Sequence, residues 1–136
     1  MHTQYAQGEV EPTTYHIGKR DVHEQLTCEI LLTTFCNMAC DYCVARELPH
    51  VSMIEGLGRK AIDIFLELGE GAKSIEFVFS GGEPFLEFPL FERLVLYAEK
   101  RTRTFGVMAN FTVKTNGTIL NPAIKDFLIE HYIKVF

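Results

Sequence analysis

From residue 26 onward the chain alternates between two textures. Residues 26–33 (LTCEILLT), 75–80 (IEFVFS), 108–115 (MANFTVKT) and 133–136 (IKVF) are short runs rich in β-branched and aromatic side chains, as expected of strands. Between them, apolar residues recur at helical spacing. Ile54, Leu57, Ala61, Ile64, Phe65 and Leu68 form one stripe, and Phe91, Leu94, Val95 and Ala98 another. The spacing predicts a helix over 53–68, opened by the capping box Ser52-Met-Ile-Glu55 and stopped by Gly69 and Gly71. Pro89 opens a second helix, which closes on Lys100, Arg101 and Arg103, where the helix dipole favours cations, before Gly106. Asn121-Pro122 supplies an N-cap and a first-turn proline for a third helix through about Glu130.

Strand, helix, strand, helix with short connections is the order of a parallel α/β sheet built from right-handed units. The run 75–80 is mostly apolar, which suits a strand covered on both faces. Residues 1–25 are polar and mixed, with Pro12 and Gly18 and no clear period, and read as an irregular lead-in to a single domain over 26–136. In such a sheet each strand's C-terminal end carries its loop on the same side. Three loops therefore converge there: 34–51, 81–84 and 115–117. Sites in parallel α/β proteins are built on that face.

Composition narrows the field. With 136 residues, 47% of them hydrophobic, the chain has material for one ordinary core. A net charge of −5 gives no electrostatic reason to expect nucleic acid or an anionic membrane as partner, and no window approaches the ~20 apolar residues of a membrane span. The N-terminal residues lack the basic and apolar segments of a secretory signal, which points to the cytoplasm. Clustered cysteines in such a chain suggest metal in a reducing compartment, not disulfides. Cys28, alone on the first strand, reads as a small buried hydrophobe.

The other three cysteines carry the chemistry. Cys36-Asn-Met-Ala-Cys40-Asp-Tyr-Cys43 sets three thiols within one short loop directly after a strand. Chance would produce that spacing in roughly three chains per thousand of this length and cysteine content. A zinc site would need a fourth ligand, with His50, His23 or His16 as candidates, none in a familiar spacing. Cys40-Asp-Tyr-Cys43 is formally a redox C-x-x-C, but that leaves Cys36 unexplained. A c-type haem would need histidine after Cys43, where Val44 stands. An iron–sulfur cluster with three protein ligands uses all three thiols and leaves one iron open, and it is the favoured reading. Ser80-Gly-Gly-Glu-Pro84 ends the second strand. Its glycines would let backbone approach a ligand, and Glu83 would suit a cationic group, although an ordinary strand-to-helix turn explains the same residues. Lys114-Thr-Asn-Gly-Thr118, ending the third strand, could hydrogen-bond a polar ligand or be a plain Asn-Gly turn.

Together these residues resemble the radical S-adenosylmethionine (radical SAM) enzymes. That family is marked by C-x-x-x-C-x-aromatic-C after the first strand, here Cys36, Cys40, Tyr42 and Cys43, and by Gly81-Gly-Glu-Pro84 after the second. The wording, including Thr115-Asn-Gly-Thr118, looks most like the sulfatase-maturase and peptide-maturase branch, although molybdenum-cofactor synthesis proteins share much of it. The resemblance implies a partial barrel of six βα units, of which this chain would supply three and the start of a fourth. It implies a [4Fe–4S] cluster on Cys36, Cys40 and Cys43, with the amino and carboxylate groups of SAM chelating the fourth iron. Gly81, Gly82 and Glu83 would receive the SAM ammonium, with Pro84 stiffening the loop. Tyr42 would lie near the adenine, and Thr115 and Asn116 would face the same cavity. The implied reaction is reductive cleavage of SAM to a 5′-deoxyadenosyl radical, which abstracts hydrogen from a peptide, protein or small-molecule substrate. An external one-electron donor of flavodoxin or ferredoxin type would drive it. Because the later strands are missing, the chain reads as the truncated N-terminal part of such an enzyme. The alternative is a metal-binding fragment without catalysis.

Overall fold

The computed structural model describes residues 24–136. The expected lead-in therefore lies outside the described residues up to position 23, as do His16 and His23, while Gln25 already belongs to the first strand. Four parallel strands, β1 (Gln25–Thr33), β2 (Ser74–Gly81), β3 (Met108–Val113) and β4 (Lys134–Val135), form one sheet in chain order. Between them run α1 (Glu55–Leu68), α2 (Phe88–Phe105) and α3 (Pro122–Glu130). This is the parallel α/β architecture that the alternation predicts.

Sequential strand order with right-handed crossovers places all three helices on one face of the sheet. The burial pattern follows that geometry. Cys28, Ile30 and Leu32, then Ile75, Phe77 and Phe79, then Phe111 and Val113 alternate inward. They meet Ile62 and Leu66 of α1, Leu90, Phe91, Leu94, Val95 and Ala98 of α2, and Ile124, Phe127 and Leu128 of α3. Aromatic rings knit the centre: Phe79 meets Phe91 edge-on at 5.0 Å, and Phe77 stacks on Phe111 at 5.8 Å.

The opposite face differs from expectation, because β2 is not apolar there throughout. Glu76 lies between its neighbours, accepting from Gln25 Nε2 at 2.9 Å and Thr112 Oγ1 at 2.8 Å, and Lys114 Nζ reaches Glu29 at 2.8 Å. Val78 and Ser80 are nonetheless buried. Among the described residues, cross-strand polar pairs and no second helix layer screen this face.

The predicted capping box does not form. The helix starts at Glu55 with Ile54 as its N-cap, which makes no side-chain capping bond. Ser52 is held in extended backbone by an antiparallel bridge to Thr33, and its hydroxyl donates to Glu87 Oε1 at 2.5 Å. Glu55 instead pairs with Arg59 one turn on and with Arg93 of α2. The other punctuation holds. Gly106 caps α2 in the left-handed region, at φ 68°, and Asn121 Oδ1 accepts from Ile124 N at 2.9 Å at the start of α3. Among the described residues no helix is long and apolar enough to cross a membrane.

Candidate functional site

The site begins where β1 ends. Thr34 N donates to Val51 O at 2.9 Å, Val51 N returns to Thr34 Oγ1 at 2.8 Å, and Met53 N bonds Leu32 O at 2.8 Å. These bonds close the loop 34–51 at its neck. Inside it, Cys43 N bonds Cys40 O at 3.1 Å, a 3-10 turn spans Val44–Glu47, and Arg46 pairs with Asp41 at 3.0 Å. Cys36, Cys40 and Cys43 all line one cavity of about 270 Å³, together with Met38, Arg46 and His50. Cys36 is exposed, and the other two are half-buried free thiols. The His50 ring tilts against Phe35 at 4.9 Å.

The end of β2 packs onto this loop by backbone. Gly82 N donates to Thr33 O at 2.7 Å and Glu83 N to Phe35 O at 2.8 Å. A β-carbon on Gly81 would stand 2.2 Å from Thr33 O, and one on Gly82 2.1 Å from Phe35 O. Gly81 also has φ +134°. Only glycine permits this approach. The paired glycines, expected to let backbone come close to a ligand, bring it close to the root of the cysteine loop. Their carbonyl oxygens take no part in these bonds. Pro84 opens a 3-10 turn, Pro84–Glu87, that leads into α2.

Glu83 turns its carboxylate toward the end of β3. Its side chain is fully buried and absent from the lining of the cysteine cavity. Its carboxylate accepts from Phe85 N at 2.9 Å, from Thr115 Oγ1 at 2.8 and 2.9 Å, and from Asn116 N at 2.9 Å. It ties the end of β2 to the end of β3.

The end of β3 completes the convergence. Asn116 Nδ2 donates to Asn37 Oδ1 at 2.9 Å and points to Cys36 Sγ at 3.8 Å, while Asn37 Nδ2 donates to Thr118 Oγ1 at 2.7 Å. The three expected loops are thus bonded to one another directly. Asn37 is the residue that sequence reasoning passed over. It is a spacer in the cysteine motif, and only its polarity beside Thr-Asn-Gly-Thr hinted at a partner across the site. Tyr42 stands 90% exposed outside the cavity lining, and its neighbour Cys40 holds the hydroxyl above the ordinary tyrosine range.

Three thiols lining one cavity are a donor set that suits an iron–sulfur cluster with three protein ligands.

With that geometry in hand, comparison with known proteins gives a consistent result. The model of the radical SAM superfamily matches residues 30–136. An uncharacterised protein of Methanocaldococcus jannaschii is 33% identical over 104 residues, 76% of this chain and 35% of its own length. The serine-type anaerobic sulfatase-maturating enzyme of Klebsiella pneumoniae is 33% identical over 99 residues, 71% of this chain and 25% of that enzyme. The chain thus spans about a quarter to a third of these curated relatives. The solved structure of native anSMEcpe with bound AdoMet superposes with a TM-score of 0.69 at 24% identity, covering 82% of this chain and 32% of that one, a likeness of fold. The expected kinship in wording with sulfatase maturases is found, and so is the expected partial barrel. On a family match over most of its length, this protein belongs to the radical SAM superfamily.

Proposed function

We propose that this chain is the cluster-bearing portion of an iron–sulfur oxidoreductase that uses SAM to abstract hydrogen from a peptide or other organic substrate. The observation that carries the reading is the gathering of Cys36, Cys40 and Cys43 around one cavity at the strand ends. These three residues hold a [4Fe–4S] cluster and leave one iron for the amino and carboxylate groups of SAM. Bound together, cluster and SAM supply a single chemistry, reductive cleavage to methionine and a 5′-deoxyadenosyl radical, once an external donor of flavodoxin or ferredoxin type provides the electron.

The chain's own residues bind and orient. The carbonyl oxygens of Gly81 and Gly82 receive the SAM ammonium, and Pro84 stiffens the turn that presents them. Glu83 acts indirectly, by fixing the Thr115-Asn116 turn. Tyr42, exposed on the cysteine loop, would meet the adenine. Relatives named as sulfatase-maturating enzymes, and the structure of anSMEcpe with AdoMet and a peptide, support a peptide as substrate class. The polar face carrying Glu29, Glu76, Thr112 and Lys114 is where that substrate would lie.

The test is anaerobic reconstitution with iron and sulfide, then reduction in the presence of SAM. The expected result is four irons per chain and release of 5′-deoxyadenosine, both lost in Cys40→Ala. A stable cluster without SAM cleavage favours the reading of a metal-binding fragment that needs further chain to turn over. Stoichiometric zinc with no iron uptake overturns the cluster itself.

A further inference from the structure

Glu83 poses a problem that SAM binding does not solve. A carboxylate with no exposure is costly unless several donors satisfy it, and most of its donors come from Thr115 and Asn116, 32 and 33 positions away. What the chain obtains is a fixed Asn116. The Asn116 Oδ1 atom accepts from Thr118 N at 3.0 Å and Thr118 Oγ1 at 2.7 Å. With the oxygen held there, the network dictates the orientation of the amide: its NH2 must face the cysteine loop. It does, reaching Asn37 Oδ1 at 2.9 Å and Cys36 Sγ at 3.8 Å, within reach of an N–H···S bond to a large sulfur.

We propose that the Asn116 side-chain amide tunes the reduction potential of the cluster by donating to the Cys36 thiolate, and that Glu83 is the positioning residue that holds it in place. The proposal rests on the cluster reading above. A reduced cluster is richer in electrons than an oxidised one, so a donor on a ligating sulfur stabilises it more, and hydrogen bonds to the sulfurs are one of the determinants of cluster potential. The couple takes up one electron from the reductant, with no bond made or broken in the protein. Asn116 thereby makes the cluster easier to reduce before SAM arrives.

The test is a potentiometric titration of the reconstituted full chain, without SAM, followed by electron paramagnetic resonance. Omitting SAM removes any contribution from a contact between Asn116 and the cofactor. Asn116→Ala should make the cluster about threefold to tenfold harder to reduce, which for a one-electron couple is about 30–60 mV more negative. Asn116→Asp, which replaces the donor by a negative charge of the same shape, should move it further the same way. Glu83→Gln should give a smaller shift of the same sign. Equal potentials in the parent and both Asn116 variants, at equal iron content, overturn the proposal and leave the cluster reading standing. If those variants fail to hold a cluster, Asn37→Ser carrying 15N only in its asparagine side-chain amides decides. A 15N hyperfine coupling to the reduced cluster supports Asn116, and its absence overturns it. A parent chain that takes up no iron and sulfide overturns the cluster reading and this inference together.

Discussion

Single residues divide here by what they touch. Cys28 shares its element with no other thiol, and burial pushes it up to about 11. Cys36, Cys40 and Cys43 stand at the surface or half-buried. Brief alkylation of the metal-free chain at mildly basic pH, read by mass spectrometry, should label those three and spare Cys28. Labelling of all four at one rate would contradict the assigned burial. Gly82 makes a stricter demand. Alanine there drives a β-carbon into Phe35 O, so Gly82→Ala should cost about 1–3 kcal/mol, seen as a lower urea midpoint, and should also lower iron uptake. The cysteines and glycines were legible in the sequence because the chemistry of sulfur and the missing side chain of glycine are properties of the residue itself. The work of Glu83 was not, because whether a carboxylate faces a ligand or its own chain depends on residues more than thirty positions away.

At the scale of elements, the caps show where local rules prevail. Asn121 caps α3 as its sequence foretold, its side chain accepting from Ile124 N. Asn121→Ala should cost about 1 kcal/mol, measured by chemical denaturation. Ser52-Met-Ile-Glu55 satisfies the same local rule and fails, because Thr33 and Glu87 claim the serine and Arg59 and Arg93 claim the glutamate. A long-range partner outweighs a capping bond of similar strength. The same applies to β2. Its apolar run predicted cover on both faces, but Glu76 had a place among Gln25 and Thr112 that no window around residue 76 contains.

For the whole molecule, the parallel sheet of right-handed units and the side of it bearing the site followed from the alternation of textures, whereas the sequential strand order was implied by the family resemblance. How the layers are tied together followed from neither. Glu55 bridges α1 and α2, and the guanidiniums of Arg59 and then Arg93 hold its carboxyl below the ordinary value of 4.5. A carboxylate whose folded value is depressed stabilises the fold above its unfolded value and loses that contribution as pH falls through the folded one. Glu55→Gln should therefore lower the urea midpoint at neutral pH and make progressively less difference as pH drops below about 4. The effect should also fade in high salt, because these charges are partly exposed. A difference that persists undiminished in acid would show that Glu55 acts by packing.

One feature of the fold bears on engineering. The neck that joins Thr34 to Val51 and Leu32 to Met53 closes the cysteine loop at its root by bonds that use none of the cysteines. The entropy of bringing the two ends together is thus met by the scaffold, whatever occupies the loop. A protease cut between the neck residues would leave two pieces still clasped to the same sheet. The loop between them behaves as a cassette: one from a relative, matched in length and keeping the Asn37 contacts to Asn116 and Thr118, could be exchanged without redesigning the strands that carry it.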